Sequence, residues 1–314
     1  MTKAEAAAFL SAQEAVCILT HRNPDGDTIG CAAALCRGLR ALGKTAWVLE
    51  NPQFTPRYAP WLAGLLTGEA RGTVISVDIA SASLLPDNAR PLAERIALAV
   101  DHHASHTGFA ARSWVVPEAA ACGELVHALL LELGAPITSE TASAIYLAVS
   151  TDTGCFQYSN TTSNTLRVAA AMRDAGCDAF PINRLFFGVR SRGRLRLESR
   201  LTEAMTFFAG GAGALCVLPR AWMDELGLTE DDLESISGFP RSVEGVEIGV
   251  MLRETAPGRV KLSLRTGPGY DAAAICAHLG GGGHRAAAGA ALDTDLDGAR
   301  AAVRAALQAA GVEG

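Results

Sequence analysis

The chain has no uninterrupted run of about 18 apolar residues, the length that a membrane-spanning helix requires. Residues 1–13 also lack the charged-then-apolar layout of a secretory signal peptide. None of the eight cysteines forms a Cys-x-x-Cys pair, so the spacing typical of a zinc ribbon or a disulfide framework is missing. We therefore expect a cytoplasmic protein with buried, reduced thiols and no membrane partner.

An excess of positive charge is also absent. The chain has 27 basic and 33 acidic residues, which gives a formal net charge of -6. This balance excludes a protein that coats nucleic acid through overall basicity, so a polyanionic substrate would need a local cation cluster or bound metal ions. The length of 314 residues and the apolar content of 49% allow two folded domains, each with its own core.

Three short apolar runs in the first half of the chain end at residues that can ligate metals. Residues 16–20 precede His21, residues 74–77 precede Asp78, and residues 97–100 precede the Asp101-His102-His103 triplet. Such runs, separated by helical patterns, are typical of buried parallel strands, and ligands bind beyond the carboxyl ends of those strands. The pattern predicts a metal-dependent active site at one edge of one sheet.

The whole pattern predicts an α/β fold with a mostly parallel sheet, flanking helices and a second, smaller α+β domain. We assign residues 1–185 to the catalytic domain and residues 206–314 to the second domain. Residues 186–205 are rich in arginine and are predicted to be a linker that is at least partly helical. The active site is expected in the cleft between the two domains.

Further carboxylates lie close to these runs in sequence. Asp25 and Asp27 follow His21 on a segment predicted to be extended, and Asp152 follows a helical run. Taken singly, each has a structural explanation as a turn or a helix cap. Taken together with the triplet, they indicate a site of carboxylates and imidazoles without thiolate, which suits Mn²⁺, with Mg²⁺ or Co²⁺ as alternatives. The number of ligands favours two ions about 4 Å apart and the hydrolysis of a phosphoester or phosphoanhydride.

These residues resemble the motifs of a known family. His-x-x-Pro-Asp-x-Asp at 21–27, Asp78, the triplet at 101–103 and Asp152 resemble the four motifs of the DHH phosphoesterase superfamily. Residues 263–266 and 280–284, with Ala-Ala-Gly at 287–289, resemble its DHHA1 domain. The resemblance covers about residues 15–292. It is strongest to the bacterial subgroup that degrades short oligoribonucleotides and dephosphorylates 3'-phosphoadenosine 5'-phosphate (pAp).

The resemblance implies a role for each matching residue. One ion would be held by His21, Asp25 and Asp78, and the second by Asp27, Asp78, His102 and Asp152. Asp78 would bridge the two ions, and the nucleophile would be a hydroxide between them. His103 and Asp101 would be catalytic, with His103 facing the scissile phosphate and Asp101 orienting the histidines.

The residues predicted to bind substrate have a physical rationale of their own. A glycine run lets backbone N–H groups approach a phosphate closely, and Arg and His side chains can donate charge-assisted hydrogen bonds to it, although a flexible hairpin would look the same. His106 stands where many relatives carry Asn; it either contacts substrate or only forms part of its loop. The predicted substrate-binding set is Ser263, Arg265, Gly281, Gly282, Gly283, His284 and His106.

The leading functional prediction is hydrolysis of short single-stranded RNA to mononucleotides, together with removal of the 3'-phosphate of pAp. The alternative is a phosphodiesterase for c-di-AMP or its linear product pApA. A manganese pyrophosphatase is disfavoured by the glycine-histidine turn at 281–284, and a non-catalytic nucleotide sensor is disfavoured because every expected ligand is present. A homodimer is compatible with the alanine-rich helices but is not demanded by any residue.

Overall fold

The computed structural model describes residues 1–233 and 235–312, which form two compact units. The first unit spans Met1–Val189 and the second begins at Arg190. Each unit has a sheet of its own with apolar clusters on both faces. The predicted classes, a parallel α/β sheet followed by a smaller α+β domain, are confirmed.

The sheet of the first unit is entirely parallel, in the order β3-β2-β1-β4-β5-β6. Its strands are β1 Ala15–Leu19, β2 Thr45–Leu49, β3 Leu66–Thr67, β4 Thr73–Val77, β5 Ile96–Asp101 and β6 Ser113–Val115. Strands β1, β4 and β5 were predicted from their apolar runs. The two edge strands, β3 and β6, were not predicted, because two or three residues are too short to show a periodic pattern.

Helices cover one face of this sheet. They are α1 Lys3–Ser11, α2 Gly26–Ala41, α3 Ala59–Leu62, α4 Cys122–Glu132, α5 Ser139–Asp152, α6 Ser163–Asp174 and α7 Ala179–Asn183. Alternation along β1 sends Val16 and Ile18 into the helical layer and Cys17 and Leu19 to the opposite face. That opposite face packs against apolar side chains from the segment between β4 and β5.

Helices α2 and α5 pack unusually closely. A Cβ atom added to Gly30 would lie 2.3 Å from the carbonyl oxygen of Ala144, and one added to Gly26 would lie 2.3 Å from Oγ1 of Thr151. Only glycine allows this approach. The contact matters for the site because α2 begins beside the first aspartates and α5 ends at Asp152.

The second unit contains a mixed sheet in the order β11-β12-β10-β9-β8-β7, in which β8 and β9 run parallel and the other pairs of the described strands run antiparallel. Its strands are β7 Thr206–Phe208, β8 Gly213–Leu218, β9 Ile248–Ala256, β10 Arg259–Thr266, β11 Gly282–His284 and β12 Ala287–Leu292. Its helices are α8 Arg192–Glu203, α9 Arg220–Leu226, α10 Ala272–Ala277 and α11 Leu296–Ala309. The predicted glycine turn is thus partly strand, since residues 282–284 pair with β12.

The arginine-rich segment predicted as a linker contains helix α8, which packs into the second unit. Leu197 and Leu201 are fully buried in an apolar cluster with residues of β8 and α9. Arg194 pairs with Glu198 at 2.9 Å and donates to the carbonyl of Asp232. At least one of these arginines therefore has a structural role, and the domain boundaries at 185 and 206 stay a prediction. Among the described residues, no helix has the length and apolarity needed to cross a membrane.

Candidate metal centre

The predicted metal ligands of the first unit converge at the carboxyl edge of the parallel sheet. His21 follows β1, Asp78 follows β4, and Asp101 ends β5, immediately before His102 and His103. Helices supply the remaining carboxylates, at the start of α2 and at the end of α5. Strands that are adjacent and parallel must end side by side, so the order β1-β4-β5 brings these residues together.

Three overlapping groups of side chains could each hold a cation. They are His21/Asp25/Asp78, Asp27/His102/Asp152 and Asp78/His102/His103, and within each group the ligand atoms lie within 4.8 Å of one another. Asp78 links two sub-sites, since its Oδ2 lies 3.6 Å from Nε2 of His21 and its Oδ1 lies 3.6 Å from Nε2 of His102.

Two histidines are oriented by the hydrogen bonds of their other ring nitrogen. Nδ1 of His21 lies 2.8 Å from the carbonyl of Arg22, and Nδ1 of His102 lies 3.1 Å from the carbonyl of Ala119. A carbonyl can only accept, so Nδ1 donates and Nε2 is the ring nitrogen that faces the carboxylates. A hydrogen bond from the ring nitrogen that does not face the ligand cluster is usual for a metal-ligating histidine.

Asp25 and Asp27 are placed differently from the prediction. The segment is not extended, because α2 begins at Gly26 and Asp25 caps it by accepting the N–H groups of Asp27 and Thr28. Asp27 lies in the first helical turn. The buried N-terminus of α4 fixes its carboxylate, which accepts the N–H groups of Cys122 at 2.7 Å and Gly123 at 2.9 Å.

Asp78 has a strained backbone as well as a buried side chain. Its φ of +59° lies in the left-handed region that non-glycine residues seldom adopt, and only 3% of its surface is exposed. Among the described residues no hydrogen-bond donor reaches its Oδ1 atom. Strain and an unpaired buried oxygen are both costly, which fits an atom whose partner is a cation.

The carboxylates raise one another's pKa. Burial, followed by the negative charges of Asp78 and Asp152, raises the pKa of Asp27 well above its usual range. Burial also raises the pKa of Asp78, and it raises the pKa of Asp152 to about 7. Crowded carboxylates that resist ionisation are stabilised by a divalent cation, so this donor set fits hard or borderline ions.

His103 is held differently from the other two histidines. Its Nδ1 lies 2.7 Å from Oδ1 of Asp101, a carboxylate that is fully buried. Although burial acts in the opposite direction, this hydrogen bond and the charges of Asp78, Asp101 and Asp152 raise the pKa of His103 to about 9. His103 is therefore built to carry a positive charge beside the carboxylate cluster.

His106 lies in the loop that follows the triplet. Its Nδ1 accepts the N–H of Gly108 at 3.0 Å, and its ring packs on Phe109 with the centroids 5.3 Å apart. These contacts stabilise the loop. Contact between His106 and a substrate stays a prediction.

The predicted substrate-binding residues of the second unit share one region of its sheet. Arg265 on β10 pairs with Ala287 on β12, and Ala287 pairs with His284 on β11. Two residues along the strands, Ser263, Gly289 and Gly282 pair in the same way. Nη2 of Arg265 donates to Oγ of Ser237 at 2.9 Å. A Cβ atom on Gly281 would lie 2.2 Å from the carbonyl oxygen of Gly289, so the strand pairing needs glycine there.

Several supporting residues were not predicted. Asn160 donates from Nδ2 to the carbonyl oxygens of Ala120 and Asp152, both at 3.1 Å, and so ties the loop that orients His102 to the end of α5. Buried Glu124 accepts the N–H of Ala120 and the hydroxyl of Thr165.

Comparison with protein families agrees with this geometry. The sequence model of the family described as "DHH family, N-terminal domain" matches residues 15–149, and that of the DHHA1 domain matches residues 214–309. The chain is 35% identical over 286 residues to a Thermus thermophilus protein named bifunctional oligoribonuclease and PAP phosphatase NrnA, covering 89% of this chain and 85% of that protein. The chain therefore belongs to the DHH family, a class of phosphoesterases.

Within that family, a Bacillus subtilis protein with the same NrnA name is 22% identical to this chain. The aligned region covers 92% of this chain and 93% of the Bacillus subtilis protein. Among solved structures, an exopolyphosphatase-related protein from Bacteroides fragilis has a TM-score of 0.85 at 24% identity, covering 98% of this chain and 95% of that one. Thermus thermophilus RecJ, solved with Mn²⁺, has a TM-score of 0.57 at 15% identity, covering 98% of this chain and 54% of RecJ. These two structures share the fold.

Proposed function

We propose that this protein is a Mn²⁺-dependent phosphoesterase that hydrolyses short oligoribonucleotides to mononucleotides and removes the 3'-phosphate of pAp. The observation that carries the proposal is the placement of Asp78, whose two carboxylate oxygens each face the Nε2 of a different histidine. The names of the relatives from Thermus thermophilus and Bacillus subtilis support these substrates.

The residues divide into two ligand sets around Asp78. His21, Asp25 and Asp78 hold one ion, and Asp27, Asp78, His102 and Asp152 hold the other. The short ligand-to-ligand distances and the unpaired Oδ1 of Asp78 support this division. A bound pair of divalent ions supplies an activated water and neutralises charge on the phosphate.

His103 and Asp101 act on the substrate side of the centre. Protonated His103 donates a charge-assisted hydrogen bond to the scissile phosphate, and Asp101 holds the ring in place through Nδ1. On the second unit, Ser263, Arg265, His284 and the backbone at Gly281–Gly283 bind a further phosphate. His106 stiffens the loop that follows His103 and, in this proposal, contacts the substrate.

The decisive assay is a substrate panel with purified protein and Mn²⁺. It compares 5'-phosphorylated di- to hexaribonucleotides, pAp, c-di-AMP, pApA and pyrophosphate. We expect the highest kcat/KM for the shortest ribonucleotides and pAp. Rapid pyrophosphate cleavage with inert nucleotides would overturn the proposal, and preferential attack on c-di-AMP would replace it by the alternative.

Metal content gives a second test that needs no substrate. The wild-type protein is expected to hold two Mn²⁺ per chain. The Asp78→Asn variant should lose both ions, and the Asp25→Asn and Asp152→Asn variants should each lose one. Asp174→Asn, an exposed aspartate at the end of α6, is the matched control and should keep both. Activity restored by Mn²⁺ but not by Mg²⁺ or Co²⁺ would support the assignment of the metal.

Two further predictions concern the whole protein. A homodimer is expected to elute at twice the chain mass of 32.6 kDa in size-exclusion chromatography with light scattering. Cytoplasmic localisation is expected from fractionation of cells that express the untagged protein.

A further inference from the structure

The second unit has a cationic face that the predicted substrate residues do not fully account for. Along β10, Val260, Leu262 and Leu264 point into the apolar core, so Lys261, Ser263 and Arg265 point to the opposite face. Antiparallel pairing puts Arg253 on β9 directly opposite Lys261. Directly opposite residues share a face, so Lys261 and Arg253 extend the surface that carries Arg265.

Lys261 has an unusual electrostatic environment. Among the residues that the structure describes, no carboxylate lies within ion-pair distance of its ammonium group. Partial burial and the charge of Arg253 lower the pKa of Lys261; Glu230 opposes this effect and Arg265 adds to it. Lys261 thus lies partly buried beside two like charges, and an anion bound to its ammonium group would relieve that repulsion.

Arg253 also has unused hydrogen-bonding capacity. Its Nη2 pairs with Glu230, but its Nε is buried and has no hydrogen-bond partner in the described part of the chain. A buried guanidinium N–H without an acceptor is costly. The chain as a whole is acidic, so this cluster is not a consequence of general basicity.

The surface between the cations is open on its β12 side. There Ala287, Gly289 and Ala291, all small, lie opposite Arg265, Ser263 and Lys261. On the β9 side, buried Met251 lies opposite Ser263, so the open path runs along β10 and β12. The rows of Lys261 and Arg265 are four residues apart, about 13 Å along the strand. This spacing is too wide for one phosphate to contact both rows, but two phosphates that are two nucleotide linkages apart on an extended strand can each meet one row.

We propose that Lys261 and Arg253 form a second phosphate subsite, which binds a phosphate farther along an oligonucleotide than the one held by Arg265 and His284. This inference rests on the proposed function. It makes Lys261 a determinant of substrate length, because AMP has no second phosphate to offer it whereas a triadenylate does.

The test measures binding rather than turnover. Affinities for AMP and for a 5'-phosphorylated triadenylate with hydrolysis-resistant phosphorothioate linkages are measured in Mn²⁺, between about 50 and 200 mM salt. Lys261→Ala should weaken triadenylate binding about tenfold, as for the loss of one charge-assisted contact. It should also reduce the slope of log affinity against log salt by about 0.7 and leave AMP binding within about twofold.

Two variants make the result specific. Arg259→Ala removes another cation from β10, but one already paired with Asp293 at 3.2 Å, so triadenylate affinity should hardly change. Lys261→Arg should retain the affinity and the salt slope. Equal weakening of both ligands by Lys261→Ala, or an unchanged salt slope, would overturn the subsite while leaving the proposed function intact. Failure of the wild type to bind or hydrolyse any nucleotide would overturn both.

Discussion

Nδ1 of His103 lies 2.7 Å from Oδ1 of Asp101, and the same oxygen accepts the backbone N–H of His102 at 2.8 Å. One buried carboxylate thereby orients the ring of His103 and holds the backbone of His102, whose ring is oriented by the carbonyl of Ala119. His102 turns its Nε2 towards Asp27, Asp78 and Asp152, whereas Nδ1 of His103 is engaged by Asp101. Adjacent residues of the same type thus acquire different roles.

This relationship predicts the effect of Asp101→Asn. The amide removes the negative charge that holds His103 protonated, so kcat should fall about 100-fold while Mn²⁺ content stays near that of the wild type. The pKa of His103 should also drop, which moves the alkaline limb of the pH profile to lower pH. Steady-state kinetics across pH, with metal analysis of the same samples, check both effects. Loss of metal in proportion to activity would contradict a role confined to orienting His103.

The raised pKa of Asp152 predicts how metal binding depends on pH. The folded, metal-free protein holds a proton on Asp152 up to about pH 7, whereas the unfolded chain releases it near pH 4. The stabilisation that this group gives the metal-free protein is therefore present below pH 4 and is lost as pH rises through 7. Mn²⁺ must displace the proton, so its affinity should rise with pH, by up to about tenfold per unit for each proton released.

Thermal unfolding at pH 6 and pH 8, with Mn²⁺ and with chelator, measures this linkage. The increase in Tm on adding Mn²⁺ should be larger at pH 8. Asp152→Asn removes one titrating group and should make the increase less dependent on pH. A wild-type increase that is independent of pH would be inconsistent with the raised pKa.

Close packing of α2 on α5 predicts a metal phenotype for a substitution that touches no ligand. In Gly30→Ala the new Cβ meets the backbone of Ala144, which cannot move without separating the helices. Overpacking of this kind costs about 1–3 kcal/mol, which exceeds the gain in helix propensity of about 1 kcal/mol. We expect lower stability in denaturant and weaker Mn²⁺ binding, because the helices carry Asp27 and Asp152.

Gly38→Ala is the matched control in the same helix. Its Cβ would meet Cδ2 of Leu130, the end of a flexible side chain that can rotate away. Some stability should be lost, but Mn²⁺ affinity should stay that of the wild type. Equal metal affinities in both alanine variants would show that helix separation does not control the centre.

The two hydrogen bonds of Asn160 anchor a loop beside the metal centre, so their loss should weaken Mn²⁺ binding. Replacing Asn160 by Ala removes both hydrogen bonds that tie Asp152 to the loop of Ala120, and we expect Mn²⁺ affinity at the Asp152 sub-site to fall about tenfold. Because Asn160 is exposed, the free energy of unfolding should change little. Calorimetric titration with Mn²⁺ resolves the two ions. Asn164→Ala, which loses a bond to Glu124 instead, should leave both affinities unchanged.

The ends of β1, β4 and β5 were predictable because parallel strands that are buried on both faces have continuous apolar sequences. The runs before His21, Asp78 and Asp101 match β1, β4 and β5 closely, and the ligand types at their ends limited the chemistry to a cation centre. The prediction that residues 25–27 are extended was wrong, since Asp25 caps α2 and Asp27 lies in its first turn. Local sequence is compatible with a turn or a helix cap at either aspartate, so it could not locate the start of the helix.

The sequence by itself determined which side chains are available and at which strand ends they occur, because apolar periodicity and ligand chemistry are properties of the local chain. Only the tertiary structure decided which carboxylates meet. The order β1-β4-β5, the approach of α2 to α5 at Gly30, and the amides of Cys122 and Gly123 that hold Asp27 all join residues far apart in sequence. Long-range packing of this kind leaves no periodic signal in a single chain.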